Sequence, residues 1–132
     1  MDQIYVATSI VAKDGKRNRG VFANRDFKVD EIVEISHVIP LSDKDDEIIV
    51  DSDLMNYYIF TWDKNRSCIA TGFGELYNHS FKNANIHWRD DVEKNEKIFY
   101  AIRDISKDEE LLFNYNGLNK PEVEHAKIEY DF

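Results

Sequence analysis

Short runs rich in β-branched and aromatic residues punctuate the chain at Ile4 to Val11, Gly20 to Ala23, Ile32 to Val38 and Cys68 to Thr71. Charged or glycine-containing turns bound each run, which is the pattern of strands. Ile86 to Arg89 and Lys97 to Arg103 flank Asp90 to Glu96, a stretch of polar turn formers, and so predict a hairpin. In its second arm Ile98, Tyr100 and Ile102 fall on one face, Phe99 and Ala101 on the other. Apolar groups on both faces place that strand inside a sheet, away from its edges. Helical signals are fewer. Leu54 to Trp62, capped by Asp51 or Ser52, predicts a short helix with an aromatic face drawn from Tyr57, Tyr58, Phe60 or Trp62. Glu122 to Tyr130 predicts a polar terminal helix entered through Pro121. The expected fold is mainly β with a few short helices.

Composition narrows this picture. With 132 residues the chain has room for one domain with one core, and 42% apolar residues suit a packed globular protein. No repeat, low-complexity segment or linker divides it. The longest apolar runs, such as Ile4 to Ala12, are interrupted by Thr8 and Ser9, so neither a membrane span nor a signal peptide is expected. A single cysteine, Cys68, excludes an internal disulfide and a cysteine-built zinc cluster. His37, His79, His87 and His125 are scattered without ligand spacing, and no metal is expected.

The formal charge is −9, with acids crowded into Asp43 to Glu47, Asp90 to Glu96 and Asp104 to Glu110. Such a surface repels DNA, so no direct nucleic-acid partner is expected. It attracts a Lys/Arg-rich peptide by long-range steering; taken singly, each cluster reads more readily as a solvated loop that maintains solubility.

Four segments carry candidate chemistry. Asn18-Arg19-Gly20-Val21-Phe22-Ala23 is a flexible turn feeding a strand, where backbone can approach a ligand closely. Gly72-Phe73-Gly74-Glu75-Leu76-Tyr77-Asn78-His79-Ser80 places two glycines before a polar triplet able to donate and accept hydrogen bonds. Asp108 to Asn116 is an acidic turn leading through Leu111, Leu112 and Phe113 to Tyr115. The aromatic group from Tyr57 to Trp62 could line a channel or fill the core. Each segment alone is weak: Tyr115 could be a buried strand-end tyrosine, and His79 a cap or a satisfied core histidine.

Together, in this order and spacing, these segments resemble a SET domain. Arg19 to Ala23 is similar to the family's first motif, Gly74 to Ser80 to its Asn-His-Ser motif, and Glu110 to Tyr115 to its closing Glu-Leu-x-x-(Asp/Asn)-Tyr motif. Glu34 to Leu41 resembles the strand-and-loop segment of stand-alone members, and the likeness is strongest to minimal members such as those of large DNA viruses and bacteria. It covers roughly Ile4 to Gly117. Two departures stand out. Asn18 replaces the leading glycine of a Gly-x-Gly turn, and asparagine is the residue best able to substitute there because it enters the left-handed region readily. Phe81 to Asn85 lack the usual proline after Asn-His-Ser, which leaves the register of that loop open.

The resemblance implies a fold of small curved sheets with a knot-like C-terminal segment, spanning residues 1–132 as a single SET domain. A tail over 118–132 would cover the site, with Tyr130 or Phe132 as candidates for that cover. It implies a protein-lysine N-methyltransferase that uses S-adenosylmethionine. Tyr115 would be the catalytic residue, with its hydroxyl oriented at the sulfonium and the transferring methyl. Arg19, Gly20, Asn78 and His79 would bind the cofactor, and Tyr58 and Phe113 would line the substrate-lysine channel. Phe113, two residues before the tyrosine, carries no hydroxyl to anchor a water beside the amine, which implies di- or trimethylation. The implied partner is a basic protein or peptide, a histone tail or another lysine-rich protein. A homodimer and an intracellular location, cytoplasmic or in a host nucleus, are expected. Two alternatives remain: a catalytically inactive module on the same scaffold that binds basic peptides, and a small β-rich interaction protein without cofactor.

Overall fold

The computed structural model describes residues 2–11, 18–52, 55–63 and 66–115. The terminal helix expected at Glu122 to Tyr130, the tail over 118–132 and Leu54 lie outside the described residues. The described residues form three small sheets.

The first sheet is the antiparallel pair β1 (Ile4–Thr8) and β2 (Arg19–Ala23), in register from Ile4 opposite Ala23 to Thr8 opposite Arg19. The second has five strands: β3 (Ile32–Pro40), β4 (Phe60–Thr61), β5 (Ser67–Ala70), β7 (Ile86–Asp91) and β8 (Glu96–Ala101), in the order β4-β5-β3-β8-β7. The expected hairpin is β7 and β8, with Asp91 opposite Glu96 and Asn95 in the left-handed conformation that closes the turn (φ 53°). β8 lies between β3 and β7, the interior position its two apolar faces require. The third sheet is a short parallel pair of β6 (Asn78–His79) and β9 (Leu112–Phe113). One core joins these sheets through Ile4, Val21, Ala23, Phe27, Val33, Tyr77, Ile86, Phe99, Leu111 and Phe113, all buried.

Two expectations are corrected. The helix expected over Leu54 to Trp62 does not form: Met55–Tyr58 is a 3₁₀ turn, and Phe60 and Thr61 pair with Cys68 and Ser67 as β4. Ser52 does cap the turn, its Oγ accepting from the Met55 N–H at 3.1 Å. Phe60 and Trp62 face the aromatic interior of the sheet, so tertiary packing overrides the local preference. The acidic run at Asp43, open to reading as a loop, is instead helix α1 (Asp43–Val50). Ser42 caps it by accepting from the Asp45 N–H at 3.1 Å, and Asp43, Asp45 and Asp46 complement the positive end of its dipole. Among the described residues no helix is long and apolar enough to cross a membrane.

Candidate active site

Residues 109–113 are the hinge of the architecture, because they hydrogen-bond to two sheets at once. On one side β2 binds them: Ala23 N–H donates to the Glu109 carbonyl at 2.9 Å and Leu111 N–H to the Val21 carbonyl at 2.7 Å. On the other side β9 pairs with β6, setting Asn78 opposite Leu112 and His79 opposite Phe113. Asn85 locks the arrangement from a buried position. Its Nδ2 donates to the Glu110 carbonyl at 2.8 Å and its Oδ1 accepts from the Leu112 N–H at 2.8 Å. That pairing fixes the register of the loop after Ser80, which lacks proline and uses an asparagine side chain instead. Three segments distant in sequence thus meet in one place.

At the meeting point sits Glu110, only 2% exposed. Its carboxylate accepts from Ser9 Oγ at 2.8 Å, the Ile10 N–H at 2.8 Å and Asn78 Nδ2 at 3.1 Å. Asn78 Nδ2 also donates to the Arg19 carbonyl at 2.7 Å. Gly20 leaves room for this cluster: a Cβ there would stand 2.2 Å from Glu110 Oε2 and 3.0 Å from Asn78 Nδ2, so the carboxylate would have to shift. Ahead of it Asn18 adopts φ 64°, the left-handed turn expected of an asparagine in a glycine's place. Arg19 itself is exposed.

His79, fully buried, accepts at Nδ1 from the Tyr115 N–H at 2.9 Å, and the two rings lie 4.8 Å apart. The Tyr115 hydroxyl donates to the Tyr77 carbonyl at 3.2 Å. Tyr115 is therefore held at both ends, by a histidine at its backbone and by a carbonyl at its phenol. Its ring stands 4.9 Å from Phe113, which is 2% exposed and packed against Trp88 at 5.0 Å and Phe60 at 5.8 Å. The result is an aromatic wall leading from Phe60 and Trp88 through Phe113 to Tyr115. Tyr58 ends the 3₁₀ turn just before β4 and is half-buried.

Of the residues singled out from the sequence, Arg19, Gly20, Asn78, His79, Phe113 and Tyr115 are brought together by hydrogen bonds, strand pairing or close contact. Three others escaped the sequence reading. Glu110 opens the closing motif, but nothing local says that its carboxylate is buried. Glu34 on β3 accepts from the Tyr77 hydroxyl at 2.6 Å, and burial raises its pKa above the usual carboxylate value. Lys97 is fully buried, its ammonium 2.7 Å from Asp90 Oδ1 and 4.7, 5.4 and 5.3 Å from the ring centres of Phe60, Trp62 and Trp88. Strand alternation did carry a signal for Lys97, since it shares a face with Phe99 and Ala101. Among the described residues no group of three or more His, Cys, Asp or Glu is placed to hold a metal ion.

The family model "SET domain" matches residues 18–116, which contain every motif assembled at this site. A Schizosaccharomyces pombe protein named histone-lysine N-methyltransferase, H3 lysine-37 specific, is 30% identical over 100 residues, covering 76% of this chain and 67% of its own. A Plasmodium falciparum structure, described as that of a candidate histone methyltransferase, superposes with TM-score 0.67 at 27% identity over 87% of this chain and 94% of that one. The polycomb repressive complex 2 of Chaetomium thermophilum shares the fold, with TM-score 0.64 at 24% identity, over 89% of this chain and 16% of that one. With these segments converging on Asn78, His79, Glu110 and Tyr115, the chain belongs to the SET-domain methyltransferase family.

Proposed function

We propose that this SET domain transfers methyl groups from S-adenosylmethionine to lysine side chains of a basic protein, with a histone tail as the first candidate. The carrying observation is Tyr115, anchored through its N–H to His79 and through its hydroxyl to the Tyr77 carbonyl, at the end of an aromatic wall. The names of the fungal and protozoan relatives support histone as substrate class, and the net charge of −9 supports a cationic partner.

The residues present fit the cofactor by the chemistry of their groups. Asn78 offers an amide oxygen to an amino-acid ammonium and exposed Arg19 a guanidinium to its carboxylate, while Glu110, taken up by Ser9, Ile10 and Asn78, holds the Asn78 amide in place. When bound, S-adenosylmethionine supplies an electrophilic methyl group on a positive sulfonium. The chain's own part is positioning and desolvation. A lysine amine has an ordinary pKa of about 10.4 and attacks only when neutral. Phe113 and the rings packed on it surround the amine with apolar surface, which disfavours the ammonium. Tyr115, fixed at both ends, would hold its phenol oxygen toward bound cofactor and amine and so favour their near-attack geometry.

Phe113 supports di- or trimethylation, because its ring brings no hydroxyl to anchor a water beside the amine. The reading also takes in a homodimer and an intracellular site of action, cytoplasmic or, for a viral protein, in the host nucleus. Methyl transfer from labelled cofactor to a panel of histones and other basic proteins, with products mapped by mass spectrometry, is the test. Transfer to lysine by the wild type, with most of it lost in Tyr115→Phe while the cofactor still binds, is expected. Cofactor binding without transfer to any lysine would favour the inactive peptide-binding module instead.

A further inference from the structure

Glu34 lies on β3, outside the three motifs that build the site, yet it is connected to Tyr115 by a short and continuous series of bonds. Its Oε1 accepts from the Tyr77 hydroxyl at 2.6 Å, and its Oε2 from the Phe73 N–H at 2.8 Å. Tyr77 is fully buried, so its phenol has no water to turn to if that acceptor is lost. The carbonyl of the same residue accepts from the Tyr115 hydroxyl at 3.2 Å. Tyr77 immediately precedes β6, whose pairing with β9 seats Asn78 and His79. One half-buried carboxylate therefore anchors both the 3₁₀ turn after Gly72 and the carbonyl that aims Tyr115. The fit is close enough that a Cβ at Gly72, itself at φ 69°, would stand 2.5 Å from Glu34 Oε2.

Resting on the methyltransferase reading for its kinetic part, we infer that Glu34 is a positioning residue for Tyr115, acting through the side chain and carbonyl of Tyr77. A charged acceptor suits this task better than a neutral one. It takes two donors at once, one on each oxygen, and charge-assisted bonds are shorter and stronger than neutral ones. Burial, reinforced by the charge of Glu34, raises the pKa of Tyr77, so its phenol remains a proton donor at any working pH. Neither Glu34 nor Tyr77's hydroxyl needs to touch the reacting atoms. What they set is the direction of one carbonyl, and through it the direction of one phenol.

The test has a structural and a kinetic arm. In the structural arm the protein is labelled with ¹³Cζ-tyrosine without cofactor, and the Tyr115 resonance is identified by its disappearance in Tyr115→Phe. Glu34→Gln, which keeps shape but offers one acceptor oxygen in place of two, is expected to move that resonance, and Tyr77→Phe to move it likewise. In the kinetic arm, kcat is expected to fall about ten- to a hundredfold in either variant, as for an angstrom-scale misplacement, with KM and cofactor affinity changed little. The double variant Glu34→Gln/Tyr77→Phe should be no worse than the poorer single one. In a Tyr115→Phe background Glu34→Gln should add almost nothing, because the hydroxyl it positions is gone. A purely structural role predicts the opposite: losses that multiply, and KM and cofactor affinity that fall with kcat. A Tyr115 resonance unmoved in Tyr77→Phe overturns the inference, including where Glu34→Gln fails to fold. Absence of any transfer by the wild type sinks the methyltransferase reading while leaving the resonance to decide this one.

Discussion

The ion pair between buried Lys97 and partly exposed Asp90 should respond very unequally to loss of one partner or the other. Lys97 has no exposed side-chain surface, whereas Asp90 keeps 30% of its own, so the two charges differ in what they can recover from water. Asp90→Asn leaves an ammonium enclosed by Phe60, Trp62 and Trp88 with only a neutral oxygen in place of the carboxylate at 2.7 Å. Removing one partner of a buried pair costs roughly 3–5 kcal/mol, and partial exposure of Asp90 together with retained cation–π attraction reduces this to about 2–3 kcal/mol. Lys97→Met strands Asp90, which can hydrate, and replaces the ammonium by a thioether among three rings. Its expected cost is within about 1 kcal/mol of zero. For a domain of this size Asp90→Asn should lower Tm by roughly 10 °C, and Lys97→Met by only a few degrees. Urea unfolding at neutral pH, followed by circular dichroism and by the fluorescence of Trp62 and Trp88, measures both. Equal costs for the two variants, or a larger cost for Lys97→Met, would refute the assignment of Lys97 as the more deeply committed charge.

Three further outcomes follow from the same geometry. Gly20→Ala must push Glu110 off its bonds to Ser9, Ile10 and Asn78, at a cost of roughly 2–3 kcal/mol; a variant as stable as the wild type, by thermal melt, would contradict the contact. Phe113→Tyr should shift the product toward monomethyl-lysine while sparing the first transfer, and a mass spectrum still reaching three methyls would remove Phe113 as the determinant. His87 has its pKa lowered first by burial and then by the charge of Lys97. Its stabilising contribution is thus present above the ordinary histidine pKa near ~6.5 and lost as pH falls through the folded value. Lys97→Met should raise that value part of the way back in an NMR titration, and no change would show that Lys97 does not act on it.

Local pattern carried much of this protein. β-branched runs bounded by turn formers marked β1, β2, β3 and β5, the polar stretch Asp90 to Glu96 marked the hairpin, and two apolar faces placed β8 inside the sheet, because each of these signals is written in adjacent residues. Asn18 was legible for the same reason, since the need for a left-handed turn can be met by few residue types. The order of the motifs pointed to the family as well. Local pattern failed where tertiary packing competed with it. Phe60 and Trp62 were drawn into the sheet and left only a 3₁₀ turn, and Ser42 with its following acids capped a helix whose apolar face is too weak to announce itself. The tertiary structure alone decided the bonds that make the site. Glu110 reaches back to Ser9 across 101 residues, Tyr77 to Glu34 across 43, and Tyr115 to His79 across 36. No periodicity encodes such pairs. Whether a carboxylate is a solvated surface charge or an acceptor held within the fold depends on what the fold brings against it, and for Glu34 and Glu110 those partners come from segments distant in sequence.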